Sequence, residues 1–141
     1  MATSESMTIE IVSPERILYS GVANQVITRT AGGGEIAFLA GHAPFLGSLV
    51  ENHTRVYLAD GSVQDVAVHG GFVEVAPDHV TILSDSAELA EAIDIKRARA
   101  ALERAEAASR GEHDATIESA LRRAHARLSA AGGLTEPRAA H

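Results

Sequence analysis

Over the first 86 residues, apolar and polar side chains alternate in short runs: Thr8–Val12, Gln25–Thr28, Arg55–Leu58, Val63–Val68, Phe72–Val75 and His79–Leu83. A period of two predicts strands with one buried face. Asp60-Gly61 between two runs predicts a tight hairpin with positive φ at both turn positions. Ala76-Pro77-Asp78 predicts a second turn, with proline pre-setting its backbone angle. Gly32-Gly33-Gly34 reads as a flexible hairpin tip, and Gly70-Gly71 interrupts the pattern again. Regularly spaced short strands without an intervening helix predict a closed antiparallel sandwich or barrel.

After Ser86 the period changes to that of helices. Asp94 is placed to cap a helix with inner stripe Ile95, Ala98, Leu102, Ala105 and Ser109. Gly111 is expected to end it in a left-handed C′ conformation. Asp114 caps a second helix with stripe Ile117, Leu121, Ala124 and Leu128, and Gly132-Gly133 is expected to stop it. The short Gly111–Asp114 connection predicts antiparallel packing. The expected fold is α+β: an N-terminal antiparallel β-sandwich over 1–86, a linker over 87–93, a two-helix hairpin over 94–131 and a mobile tail over 132–141, Pro137 included.

The hairpin is thinly held. A buried alanine methyl contributes ~0.8 kcal/mol, whereas ordering each backbone residue costs about 1–2 kcal/mol. A narrow alanine stripe suits an arm that docks and undocks, and equally one packed permanently on the sandwich.

Composition sharpens this division. Nine of the 12 glycines precede Ser86. Residues 1–86 carry three basic and ten acidic side chains, and residues 87–141 carry nine of each, so the net charge of −7 belongs to the first part. An acidic balance argues against general nucleic-acid binding. The absence of cysteine excludes thiol chemistry, cysteine-ligated metals and disulfides. No apolar run approaches the ~18 residues of a membrane span, and the polar start, Met1 to Met7, lacks the build of a signal peptide. A cytosolic protein without direct membrane insertion is expected.

The usual catalytic signatures are missing. His42, His53, His69 and His79 have no metal-ligand spacing and read as isolated histidines. There is no GxSxG elbow, no phosphate loop follows the three glycines, and nothing marks a pair of catalytic carboxylates. The helical part is more suggestive. From Lys96 to Arg127 there are eight basic and five acidic residues, and Arg97 and Arg104 share a face. Guanidinium forks pair well with phosphate oxygens, although a solvated face with i,i+4 pairs accounts for the same pattern.

Six strings, in order, carry a family resemblance: Ser13-Pro14-Glu15-Arg16 with Tyr19-Ser20-Gly21; Gly34-Glu35-Ile36; Gly41-His42-Ala43-Pro44-Phe45; Gly70-Gly71-Phe72-Val73-Glu74-Val75; Thr81-Ile82-Leu83-Ser84-Asp85; and Ile93-Asp94-Ile95-Lys96-Arg97-Ala98. Over about residues 7–130 the chain resembles the epsilon subunit of the rotary proton-translocating ATP synthase. The resemblance implies a ten-stranded sandwich, a helical hairpin and no catalysis by this chain. It implies partners in the gamma subunit, the c ring and the alpha and beta subunits, at the cytoplasmic face of the bacterial plasma membrane. It also implies a hairpin that folds onto the sandwich or extends to restrain ATP hydrolysis. Glu35 to His42 match the loop the family presents to the c ring and gamma, with Glu35, Phe38, Leu39, Gly41 and His42 as contact residues. Ile93-Asp94-x-x-Arg97-Ala98 matches a string by which some members bind regulatory ATP, with Glu88, Arg104 and Arg127 as further contacts. No other cofactor is implied.

Other classes remain open from the residues alone. An unrelated β-sandwich adaptor that binds a partner helix fits the same pattern. An enzyme would need perturbed side chains gathered in a pocket.

Overall fold

The computed structural model describes residues 6–111 and 114–135. The first five residues, part of the helix connection and the tail from 136, with Pro137, lie outside them. Seven strands come first: β1 (Met7–Val12), β2 (Ile17–Thr30), β3 (Gly34–Leu39), β4 (Phe45–Leu58), β5 (Val63–Ala76), β6 (His79–Leu83) and β7 (Ala87–Leu89). A 3-10 turn at Ala90–Ala92 leads to helices α1 (Ile95–Ser109) and α2 (Ala115–Thr135).

Three strands of 14 residues build both layers. The first half of β2 pairs with β1 and its second half with β3. The second half of β5 pairs with β6 and its first half with β7. β4 follows β5 along both halves. One layer holds β1, β6 and one half each of β2, β4 and β5; the other holds β3, β7 and the remaining halves. Counted by segment, each layer has five strands, the ten-stranded arrangement expected. All pairs are antiparallel except β1 with β6, which run parallel, a departure from the fully antiparallel expectation.

Each long strand changes phase where it passes between layers. In β5, Val66 and Val68 point inward before Gly70-Gly71, and Val73 and Val75 after it. In β4 the buried positions go from Leu49 to Asn52, Thr54 and Val56, and in β2 from Ala23 to Val26, Thr28 and Thr30. Gly70-Gly71, which interrupts the sequence pattern, therefore lies inside one strand. Gly71 has φ +110, and a Cβ there would collide with the Leu83 carbonyl oxygen, so only glycine lets β5 turn against β6.

The core between the layers is aliphatic, with Ile9, Ile11, Val26, Val56, Val80 and Ile82 fully buried. It also holds a satisfied polar cluster. Thr28 Oγ1 lies 2.8 Å from Thr54 Oγ1, both hydroxyls bond Asn52 Oδ1, and Asn52 Nδ2 donates to the Val50 carbonyl. Buried polar groups are tolerated when so paired.

Several local expectations need correction. In the β4–β5 hairpin only Gly61 has positive φ, and Asp60 does not. Leu58 and Ser62 close a three-residue loop, and Asp60 Oδ1 accepts from Ser62 N and Oγ. Such loops combine a type I turn with one left-handed residue. Gly111 lacks positive φ, and Arg110 ends α1 in a right-handed conformation. Gly132-Gly133 does not stop α2, which continues to Thr135, since glycine weakens a helix by about 1 kcal/mol without forbidding it. The expected linker contains β7, hydrogen-bonded to β5.

Candidate functional site

The helical hairpin lies on the outer face of the layer containing β3 and β7, and α2 makes the contact. At its centre Ala126 and Ala130 pack on Ala67 of β5, with Ile93 beside them. Small side chains on both surfaces let the helix approach closely. The cross-strand neighbours of Ala67 are His53 and Glu88, so the apolar centre is flanked by polar groups.

Those groups bind α2 directly. Glu51 accepts from Ser119 Oγ at 2.8 Å and Arg122 Nε at 2.9 Å. His53 lies 2.8 Å through Nδ1 from Ser129 Oγ and 2.6 Å through Nε2 from the buried Asp65. Glu88 Oε1 is shared by Arg127 Nε at 2.6 Å and His69 Nε2 at 2.9 Å. Burial pushes the Glu51 carboxyl up, but Arg122 and Ser119 outweigh it and hold the group below its ordinary value. Burial likewise raises Glu88, and His69 and Arg127 overcome it. His69 is held low, first by burial and then by Arg127 and Arg123, with Glu88 opposing in part.

Sequence reasoning missed this polar ring. The sequence pattern leaves the histidines isolated, yet His53 and His69 each hydrogen-bond a carboxylate, and His53 also reaches α2. It found one face of α2, whereas Ser119, Ala126 and Ala130 form a second. The available signal was small Ala67 between Asp65 and His69 on one strand face, opposite two helical alanines at i,i+4.

Docking creates a cavity of about 350 Å3 lined by Glu88, Asp94, Arg97, Arg104 and Arg127, among others. All five residues named from the ATP-binding resemblance are thus brought together from β7, α1 and α2. Asp94 caps α1, its Oδ1 accepting from Arg97 N at 3.0 Å. Among the described residues, the guanidinium groups of Arg97 and Arg104 have no hydrogen-bond or ion-pair partner, while Arg127 is engaged by Glu88. Three guanidiniums face two carboxylates, an arrangement that suits a multiply charged anion. Ile93 and the alanines of α1 supply an apolar wall.

The expected contact loop is divided. Glu35 to Leu39 form strand β3 rather than a loop. Glu35 pairs with Arg55 at 3.1 Å beside the α2 cleft, about 13 Å along the strand from Leu39. Phe38, expected to face a partner, is fully buried against Phe45 and the His42 ring. Leu39 is 54% exposed. Gly41 N donates to the Pro77 carbonyl and His42 Nδ1 meets the Ala43 carbonyl, which fixes the following turn. Among the described residues there is no cluster able to hold a metal, and no helix is long and apolar enough to cross a membrane.

Residues 6–90 match the family described as the β-sandwich domain of the ATP synthase delta/epsilon chain. The chain is 43% identical over 134 residues to the ATP synthase epsilon chain of Thermobifida fusca, covering 93% of this chain and 96% of the relative. It is 41% identical over 131 residues to that of Solibacter usitatus, covering 90% and 96%. A chain in the Euglena gracilis mitochondrial ATP synthase (OSCP/F1/c-ring, rotational state 1) superposes with TM-score 0.77 at 25% identity, covering 93% of this chain and 83% of that one. The chain belongs to the ATP synthase epsilon-chain family, a non-catalytic subunit of that complex.

Proposed function

We propose that this chain couples rotation of the central stalk to proton flow through its sandwich and restrains ATP hydrolysis through its helical arm. In this reading the sandwich grips gamma and rests on the c ring, at the cytoplasmic face of a bacterial plasma membrane. Ile17, Val22, Leu46, Phe72 and Leu83 are exposed apolar side chains on the layer opposite the arm, and they support a partner surface there. Leu39, with the fixed turn through Gly41 and His42, supports a second contact at the c ring. The arm extends towards alpha and beta to restrain hydrolysis and is harmless when docked.

The observation that carries the regulatory part is the cavity. Its lining comes from both sandwich and arm, so a ligand there binds only the docked form and shifts the population towards it. ATP fits the lining: Arg97, Arg104 and Arg127 for phosphates, Asp94 for a ribose or base group, and Glu88 as the counter-charge that keeps the empty site stable. Calorimetric titration of the chain with ATP is expected to give saturable binding that Arg97→Ala weakens; flat heats at millimolar ATP would remove the nucleotide part. Reconstitution with residues 1–93 in place of the full chain is expected to preserve assembly with gamma and raise hydrolysis. Loss of assembly would make the helices structural instead.

A further inference from the structure

Glu88 is held at one oxygen by the arm and by the sandwich, and the sandwich group is a histidine. The His69 side chain is 2% exposed, its Nε2 lies 2.9 Å from Glu88, and its Nδ1 is buried without a hydrogen-bond partner. We propose that His69 is a positioning residue for the cavity wall and makes arm docking proton-sensitive, proton uptake releasing the arm. This deepens the reading of the arm as a two-position element, but needs no nucleotide for its test.

A neutral His69 donates from Nε2 to Glu88 and leaves Nδ1 as a lone pair. A protonated His69 has a second N–H at Nδ1, buried with no acceptor. An unmade buried donor is strongly unfavourable. The groups around the ring add to this. Arg127 and Arg123 face it from α2 and repel an imidazolium, while Glu88 on β7 attracts one. Glu51 is its cross-strand neighbour on β4, already engaged by Arg122 and Ser119, and Asp85 lines the same depression as His69. With the arm gone, both arginines leave.

His53, the other histidine at the interface, is a built-in contrast. Its Nδ1 partner is the Ser129 hydroxyl, which can donate to a neutral ring or accept from a charged one. The Nδ1 of His53 thus has a partner that can serve either role, whereas the Nδ1 of His69 has none.

The direction follows from linkage. In the docked form burial, together with Arg127 and Arg123, holds the proton affinity of His69 below its ordinary value, and undocking removes the two arginines. Well above the ordinary imidazole midpoint of about 6.5 the ring is neutral docked or undocked, and docking is at full strength. As pH falls from there, the undocked form takes up a proton that the docked form refuses. The docking constant then drops by up to about tenfold per pH unit, until the docked form is protonated as well.

The chain has no cysteine, so Ala59→Cys on the exposed β4–β5 hairpin and Ala108→Cys on α1 can carry a dye pair in the full-length protein. Energy transfer between pH 8 and 5, without nucleotide, is expected to show the arm leaving below about pH 6.5. His69→Gln, which keeps a donor but does not titrate, is expected to flatten that step. His53→Gln is expected to weaken docking at every pH and leave the step in place. NMR of the His69 ring in the unsubstituted chain gives a second readout, with a titration midpoint below the ordinary value. A step that persists in His69→Gln, a step abolished only by His53→Gln, or a His69 midpoint at or above the ordinary value would each overturn the proposal.

Discussion

Arg127 Nε on α2 lies 2.6 Å from Glu88 Oε1 on β7, making one bond at once a cavity wall and an anchor for the arm. Both side chains are about one-third exposed, so the pair falls between a screened surface pair and a desolvated one. A double-mutant cycle with Arg127→Ala and Glu88→Ala, read through the docked fraction, is expected to give a coupling of about 1 kcal/mol. A coupling near zero would mean that the pair forms without holding the arm.

Ala67 sets how closely α2 can approach. Ala67→Leu adds three carbons at a surface already filled by Ala126 and Ala130. Overpacking of this kind costs about 1–3 kcal/mol, and here the arm can escape it by leaving. Dye-pair energy transfer is expected to fall while the thermal midpoint of the sandwich stays within a few degrees of the parent. A variant that remains docked would show that the alanine contact does not set the approach.

Acid is expected to release the arm in a second, lower step. Glu51 and Glu88 hold their protons less readily docked than free, because α2 donors stabilise both carboxylates. Their contribution is therefore complete above the ordinary carboxylate range and is lost as pH falls through it towards the docked values. Glu51→Gln is expected to shrink that step in a titration from pH 6 to 3. An unchanged step would leave Glu51 without a role in docking.

Phe38 and Leu39, adjacent in sequence, separate stability from contact. Phe38→Ala empties a fully buried site and is expected to cost about 3–5 kcal/mol in chemical denaturation. Leu39→Ser removes an exposed side chain and is expected to change stability by less than about 0.5 kcal/mol, while weakening proton coupling in the assembled complex. A large stability loss for Leu39→Ser would place that residue in the core's support instead.

The readable parts of this fold were those where local pattern and packing agree. Asp94 and Asp114 cap the helices as read, and Ala98 and Ala105 are the buried positions of α1. The long strands were harder. Their alternation shifts by one residue at Gly70-Gly71, between Ala23 and Val26, and between Leu49 and Asn52, so one strand reads as two runs or a run and a gap. Buried Thr28, Asn52 and Thr54 further disguised an inward face as polar. The cavity residues came from the family string, and no spacing in the chain announces that Glu88 meets Arg127 across 39 residues. His53 and His69 were illegible because their partners lie on other strands and on a helix that only tertiary docking brings near.

In the proposed function the docked arm is the permissive state. Ala67→Cys and Ala130→Cys, introduced together in this cysteine-free chain, put two thiols at the alanine contact, where a disulfide would lock α2 on the sandwich. The decisive quantity is the ATP hydrolysis rate of an ATP synthase reassembled with that chain, oxidised and then reduced. Fast hydrolysis is expected when the bridge is closed, with restraint returning when it is opened. Equal rates in the two states, or slower hydrolysis with the bridge closed, would contradict the proposed function.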